Sequence, residues 1–331
     1  MSGGRFAVLA ALRRVLAGSR GRRALLPAAI GLLALALADP QLPLVRAQVE
    51  SVVVLDITQS MDVADVQLQG RSVSRLALAR DALHETLERL PCGSRIGLGV
   101  FTEHRSVLLL APLEVCANLQ ELRGALARID GRMAWSGNSE VAKGLNSALR
   151  LVRALPDVPS LVFVTDGHEA PPLNPRYRPP MDGTDRASGW LVGVGGLAPV
   201  PIPRSDPEGR PLGFWGAREV LQVELYSQGR GGSVQGERMV EDPAGPAPPD
   251  LGATPGREHL SALREPYLQR LAQETGLRYA RLQPGTPLLG LLRDPALAQP
   301  RRQPVPLRPL LVVFALALLA LRHAGRQRLG S

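Results

Sequence analysis

Two short, wholly apolar runs that each end in an aspartate constrain this chain most. Val52-Val53-Val54-Leu55 stops at Asp56, and Leu161-Val162-Phe163-Val164 stops at Thr165-Asp166-Gly167. A short apolar run without alternation is the pattern of a strand buried on both faces. Such strands belong to parallel sheets covered by helices. Residues 75–90 carry Leu76, Ala79, Leu83, Leu87 and Leu90 at helical spacing, and Pro91-Cys92-Gly93 stops the pattern. Residues 118–129, 140–155 and 267–275 read as further helices. Residues 95–101, 107–110, 190–194 and 278–282 read as strands. Alternating strands and helices predict an α/β fold: a Rossmann-like open, mostly parallel sheet with helices on both faces and one antiparallel hairpin. Ligands of such sheets sit at the carboxyl ends of strands.

Asp56, Thr58 and Ser60 leave the first strand together. One carboxylate and two hydroxyls, each separated by one residue, make an oxygen-only set suited to a hard cation, Mg or Ca. A third hydroxyl comes from Ser136-Gly137-Asn138-Ser139. Ser139 is the first choice because it opens the 140–155 helix, and Ser136 is the reserve. Asp166 closes the set from the second strand. Singly, each residue also reads as an ordinary turn or helix cap. Their order on successive buried strand ends carries the signal.

That order resembles the metal-ion-dependent adhesion site (MIDAS) of the von Willebrand factor A (VWA) family. The resemblance implies a VWA fold and five metal ligands: Asp56, Thr58, Ser60, Ser139 and Asp166. It also implies a non-enzymatic protein that grips an acidic side chain of a client through the bound ion. Thr58 stands where serine is commonest and keeps the hydroxyl. The Ser139 context lacks the usual threonine. An enzymatic alternative is a haloacid-dehalogenase-like phosphatase, with Asp56 as nucleophile and Lys143, the single lysine, as charge clamp. That chemistry wants a second carboxylate two residues on as general acid, and position 58 is threonine. His84, His104, His168 and His259 form no zinc-ligand spacing.

The formal charge of +9 lies in the tails. Residues 1–23 and 301–331 hold six arginines each and no acid. Setting those twelve aside leaves 27 basic residues against 30 acidic ones. The body is therefore slightly acidic, which argues against nucleic-acid binding. Both tails adjoin apolar runs, at 25–38 and 309–321. Each is shorter than the roughly 20 residues of a standard span, and flanking apolar residues extend them. The expected organisation is a basic segment at 1–23 and a membrane anchor or cleaved signal peptide at 24–45. A VWA domain at 47–292, a linker at 293–308, a transmembrane helix at 309–322 and a basic tail at 323–331 follow. The positive-inside bias then places the body outside the cytoplasm, in the periplasm on the bacterial inner membrane.

Cys92 precedes the strand at 95–101, and Cys116 follows the one at 107–110. An antiparallel hairpin through 102–105 makes them neighbours, able to form a disulfide in an oxidising compartment. The alternative is two half-buried thiols. Residues 196–257 are rich in Pro, Gly and charge, either a partner-contacting insertion or a flexible excursion.

Longer motifs narrow the resemblance. Residues 162–172, Gly193-Val194-Gly195-Gly196 leading to Pro201-Ile202-Pro203, Glu258-His259-Leu260-Ser261 and Glu265-Pro266-Tyr267-Leu268 are similar to MxaL-type proteins. These are membrane-anchored VWA proteins of methanol-oxidation clusters. The resemblance implies an accessory role in maturing a periplasmic methanol dehydrogenase, including calcium insertion, beside a sister VWA protein and a MoxR-type AAA ATPase. A Bat-like VWA scaffold serving another envelope complex is the broader alternative.

Overall fold

The structure is a computed structural model that describes residues 19–172, 177–178, 188–206, 208–220, 240–241, 256–285 and 288–327. The basic segment before residue 19, most of the inserted segment (221–239 and 242–255) and the tail from 328 lie outside the described residues. The chain divides into two compact units, Met1–Arg46 with Pro300–Ser331, and Ala47–Gln299.

The larger unit is built on a six-stranded sheet. Its strands are β1 (Glu50–Asp56), β2 (Arg95–Thr102), β3 (Arg105–Glu114), β4 (Ser160–Thr165), β5 (Gly189–Val194) and β6 (Arg278–Leu282). Their order is β6-β5-β4-β1-β2-β3. All neighbours are parallel except the β2–β3 hairpin at one edge. Helices α1 (Arg75–Arg89), α2 (Leu119–Arg128), α3 (Val141–Arg153) and α4 (Glu265–Thr275), with the short α5 (Leu288–Leu292), cover it. β1 is buried along its whole length. Val53 and Leu55 join the core with α1 and α2, whereas Val52 and Val54 join the core with α3 and α4. Two cores, one per face, explain why the run shows no polar alternation. The chain leaves β1 through α1 toward β2, while β4 lies on the other side of β1. The crevice between the carboxyl ends of β1 and β4 is thus the topological switch point of the sheet.

Local chemistry sets the boundaries. The Ser74 side chain caps α1 by accepting from the Ala77 N–H at 3.1 Å. Gly276, in the left-handed region at φ 76°, ends α4. Gly144 lets α3 approach the sheet, since a Cβ there would lie 2.0 Å from the Phe101 ring. β3 is longer than its apolar pattern predicts. It is an edge strand with one face partly exposed, and the pairing shifts register between Ile96 and Gly99, opposite the Ala111-Pro112 step. A proline lacks the N–H a ladder needs, and an edge irregularity accommodates it. Cys92 and Cys116 are joined as a disulfide with Cα atoms 5.2 Å apart, at the open end of this hairpin.

In the smaller unit, two helices, Ser19–Leu37 and Arg308–Gln327, pack against each other. They continue into Gln41–Gln48 and Gln299–Pro306, which pair as a two-stranded sheet where the sequence reads as a tether. The Leu307 N–H donates to the Pro40 carbonyl at 2.9 Å. Ala29, Ala36 and Ala315 are buried, while Ile30, Leu35, Val313, Phe314 and Leu316 are exposed. Among the described residues, no helix is long and apolar enough to cross a membrane.

The Gly144–Phe101 contact gives a direct test of packing. Gly144→Ala is expected to lower stability by about 1–3 kcal/mol through overpacking. Urea unfolding should show an earlier midpoint with unchanged slope.

Candidate cation site

The loop leaving β1 folds back on its own aspartate. Asp56 Oδ1 accepts from the Thr58 N–H at 2.9 Å and from the Thr58 hydroxyl at 2.7 Å. Asp56 Oδ2 accepts from the Thr165 hydroxyl at 2.6 Å, across to the end of β4. Thr58 Oγ1 and Ser60 Oγ lie 3.2 Å apart. Asp56, Thr58 and Ser60 are all buried. Because the Thr58 proton points to Asp56, a lone pair of that oxygen remains for another partner. Asp56 thus orients the hydroxyl from behind. Burial, reinforced by the nearby Asp166 charge, pushes the Asp56 carboxyl up to about 7.

Asp166 is also fully buried, and its partners are ones the sequence reading missed. Oδ2 accepts from Arg75 Nη1 at 2.5 Å and from the Ser261 hydroxyl at 2.9 Å. Oδ1 accepts from the His168 N–H at 2.9 Å. Gly167, at φ +77°, supplies the left-handed turn between Asp166 and that N–H. Arg75 is itself fully buried. Its other edge forms a two-point contact with Asp65, Nε–Oδ1 at 3.0 Å and Nη2–Oδ2 at 2.6 Å. Burial alone would raise Asp166, but the Arg75 charge and these hydrogen bonds hold it below the usual carboxylate range. Of the two aspartates, Asp166 is the one that pairs with Arg75, whose guanidinium it shares with Asp65.

Ser139 arrives from a third direction. Its backbone is pinned by paired hydrogen bonds with Ala170, N to O at 2.7 Å and O to N at 2.8 Å. The Glu140 N–H donates to the Glu103 carbonyl at 2.6 Å. The ordinary helix-cap role of Ser139 is already filled. Glu169 Oε1 accepts from the Ala142 N–H at 2.9 Å and from the Tyr267 hydroxyl at 2.6 Å. Ser139 Oγ is buried and has no hydrogen-bond partner among the described residues. Ser136, the reserve candidate, is half-buried, and its hydroxyl accepts from the Asn138 N–H at 3.2 Å.

Thr58, Ser60 and Ser139 line one cavity of about 130 Å³. His168, Trp215 and Glu258 also line it. The Trp215 indole N–H donates to Gln59, and Arg204 stacks over that indole at 4.6 Å. Burial drives the His168 pKa down to about 4, so its ring is neutral. Three hydroxyl-bearing residues on one cavity wall, with an orphaned oxygen among them, fit a hard cation. The ion would be held by Thr58, Ser60 and Ser139, with Asp56 and Asp166 behind them. Lys143 is ion-paired with Glu140, the N-cap of α3. Among the described residues, one group of three His, Cys, Asp or Glu donors converges, Cys92, Glu114 and Cys116. Its sulfurs are in the disulfide, and Glu114 accepts from the Gly93 and Ala117 N–H groups.

Two measurements probe this framework. Arg75→Met leaves the buried Asp166 and the part-buried Asp65 without a counter-charge and is expected to cost about 3–5 kcal/mol of stability in denaturant unfolding. Arg75→Lys should recover only part, since one ammonium cannot reproduce a planar fork. Glu169 provides a pH signature. Burial raises its pKa from 4.5 to about 8. A carboxyl raised in the folded state stabilises fully below about pH 4.5, and the contribution is lost as pH climbs toward 8. Stability should fall across that window by at most about 1.4 kcal/mol per pH unit, and Glu169→Gln should flatten the slope.

Residues 51–168 match the family model described as the von Willebrand factor type A domain. No curated protein matches the chain. An aerotolerance-related membrane protein from Bacteroides fragilis, bearing multiple mutations to serine, is 19% identical. That match spans 71% of this chain and 92% of that one, with a TM-score of 0.44. BatB from Bacteroides thetaiotaomicron is 18% identical over 71% of this chain and 91% of its own, with a TM-score of 0.43. An uncharacterised membrane-spanning protein from Vibrio fischeri is 17% identical over 71% and 90%, at a TM-score of 0.27. The mixed α/β body, with its six-stranded and mostly parallel sheet, fits the VWA fold that the family match describes.

Proposed function

We propose that this chain is a non-enzymatic, membrane-tethered VWA protein that binds Mg or Ca at a MIDAS-type site and grips an acidic group on a protein client. One observation carries the reading: the buried, partnerless Ser139 hydroxyl shares a cavity with the Thr58 and Ser60 hydroxyls at the switch point of the sheet. Burying a polar oxygen without a partner is costly, so such a site implies a missing ligand. Neutral hydroxyls leave a bound cation under-neutralised, and an acidic side chain completes its shell.

The tether rests on the smaller unit. Its paired helices bury Leu25, Ala29, Ala36 and Ala315 and leave Ile30, Leu35, Val313, Phe314 and Leu316 exposed. An exposed apolar face of this kind suits contact with a membrane, although neither helix is long and apolar enough to span one. Orientation by the flanking arginines then places the VWA body in the periplasm. The client we assign is a methanol dehydrogenase during maturation or calcium insertion, with a sister VWA protein and a MoxR-type AAA ATPase as co-workers. Its support is the similarity of residues 162–172, 193–196, 201–203, 258–261 and 265–268 to MxaL-type proteins.

Client capture from detergent-solubilised full chain tests the function. Capture of the immature dehydrogenase should require Mg or Ca and be abolished by EDTA. Ser139→Ala should lose capture while unfolding at the wild-type denaturant midpoint, because that hydroxyl holds nothing in the fold. Capture that survives both EDTA and Ser139→Ala would overturn the proposal.

A further inference from the structure

We infer that Glu258 is the internal acidic ligand of this site, occupying in the resting protein the position a client carboxylate would take. The inference rests on the cation reading above and specifies how that site is kept closed. Glu258 is fully buried and lines the same cavity as Thr58, Ser60 and Ser139. Its Oε1 accepts from the Gly256 N–H at 3.1 Å, and its Oε2 has no hydrogen-bond partner among the described residues. The other carboxylate lining the cavity, Glu219, is exposed and already bonded to Arg204 and the Gly216 N–H.

The segment bearing Glu258 is held in place by structure. Leu260–Ser261 pairs with Val200–Pro201, and the Ile202 N–H donates to the His259 carbonyl at 3.0 Å. Three residues beyond Glu258, the Ser261 hydroxyl binds Asp166 and accepts from Arg75 at 2.6 Å. The Ser261 carbonyl accepts from Arg75 at 3.3 Å. The same guanidinium therefore fixes the cavity floor and the strand that delivers the glutamate.

Charge gives the reason. The three hydroxyls are neutral, both Asp56 oxygens already accept from Thr58 and Thr165, and both Asp166 oxygens already accept from Arg75, Ser261 and the His168 N–H. A divalent ion placed among the hydroxyls lacks an anionic ligand in direct reach. A buried carboxylate oxygen with no partner lacks a cation. Each supplies what the other needs, and Glu258 sits on the wall of the cavity that would hold both. A client acid must then displace Glu258, so binding is an exchange of one carboxylate for another.

Mn binding to the full chain in detergent, followed by electron paramagnetic resonance and water-proton relaxation, tests this. The wild type should bind one Mn, and Ser139→Ala should lose it. Glu258→Gln should weaken Mn binding by about tenfold or more, as expected for loss of a charged ligand. Each Mn it still binds should relax water protons faster, because water fills the freed position. Added acetate should reverse that gain in Glu258→Gln, and in Glu258→Ala, but leave the wild type unchanged. Unaltered affinity and relaxation in Glu258→Gln, with Ser139→Ala still inactive, would remove Glu258 from the shell and leave the cation site standing. Acetate sensitivity in the wild type would equally overturn the internal-ligand assignment without recourse to any variant. Absence of Mn binding by the wild type would remove the cation site and this inference together.

Discussion

One buried guanidinium organises the business edge of this sheet. Arg75 starts α1, yet it reaches Asp166 at the end of β4, Asp65 in the loop after β1 and Ser261 in the strand that follows the insertion. It also lies 3.4 Å from the Ser60 carbonyl. Four segments far apart in the chain are tied through one planar group. Five fixed donors suit such a junction better than a flexible ammonium does. The junction also decides the electrostatics, since it holds Asp166 ionised while neighbouring Asp56 is pushed upward.

The sheet and its helices were legible because burial on both faces leaves a plain mark. β1 and β4 read as apolar runs, and α1 reads as an amphipathic stripe. β3 was foreshortened because an edge strand is half exposed and Pro112 interrupts its pattern. The hairpin of Val66–Leu68 with Arg71–Val73 and the pairing of Gln41–Gln48 with Gln299–Pro306 went unread. Their residues carry no sustained alternation, and the second pair joins segments some 250 residues apart.

The candidate site was legible where its residues are local. Asp56, Thr58 and Ser60 share one loop, so spacing alone brings them together. Thr165, Ser261 and Glu258 meet the site only through the tertiary fold, and no spacing rule reaches them. Arg75 did leave a signal. A cation in the first turn of a helix opposes the helix dipole, and α1 has no acid in that turn to offset it. An arginine placed there needs carboxylates from elsewhere. Ser139 illustrates the converse: it reads as a routine cap, and only the arrival of Glu169 at the α3 N-terminus frees its hydroxyl.

The disulfide lies at the far end of the sheet from all of this. Cys92 precedes β2 where Arg95 pairs with Glu50, whereas Asp56 pairs with Phe101 at the opposite end. Thiol chemistry therefore acts on how firmly the edge hairpin is latched and leaves the hydroxyl-lined crevice untouched. The covalent latch and the hydroxyl-lined crevice stand at opposite poles of the same β-sheet.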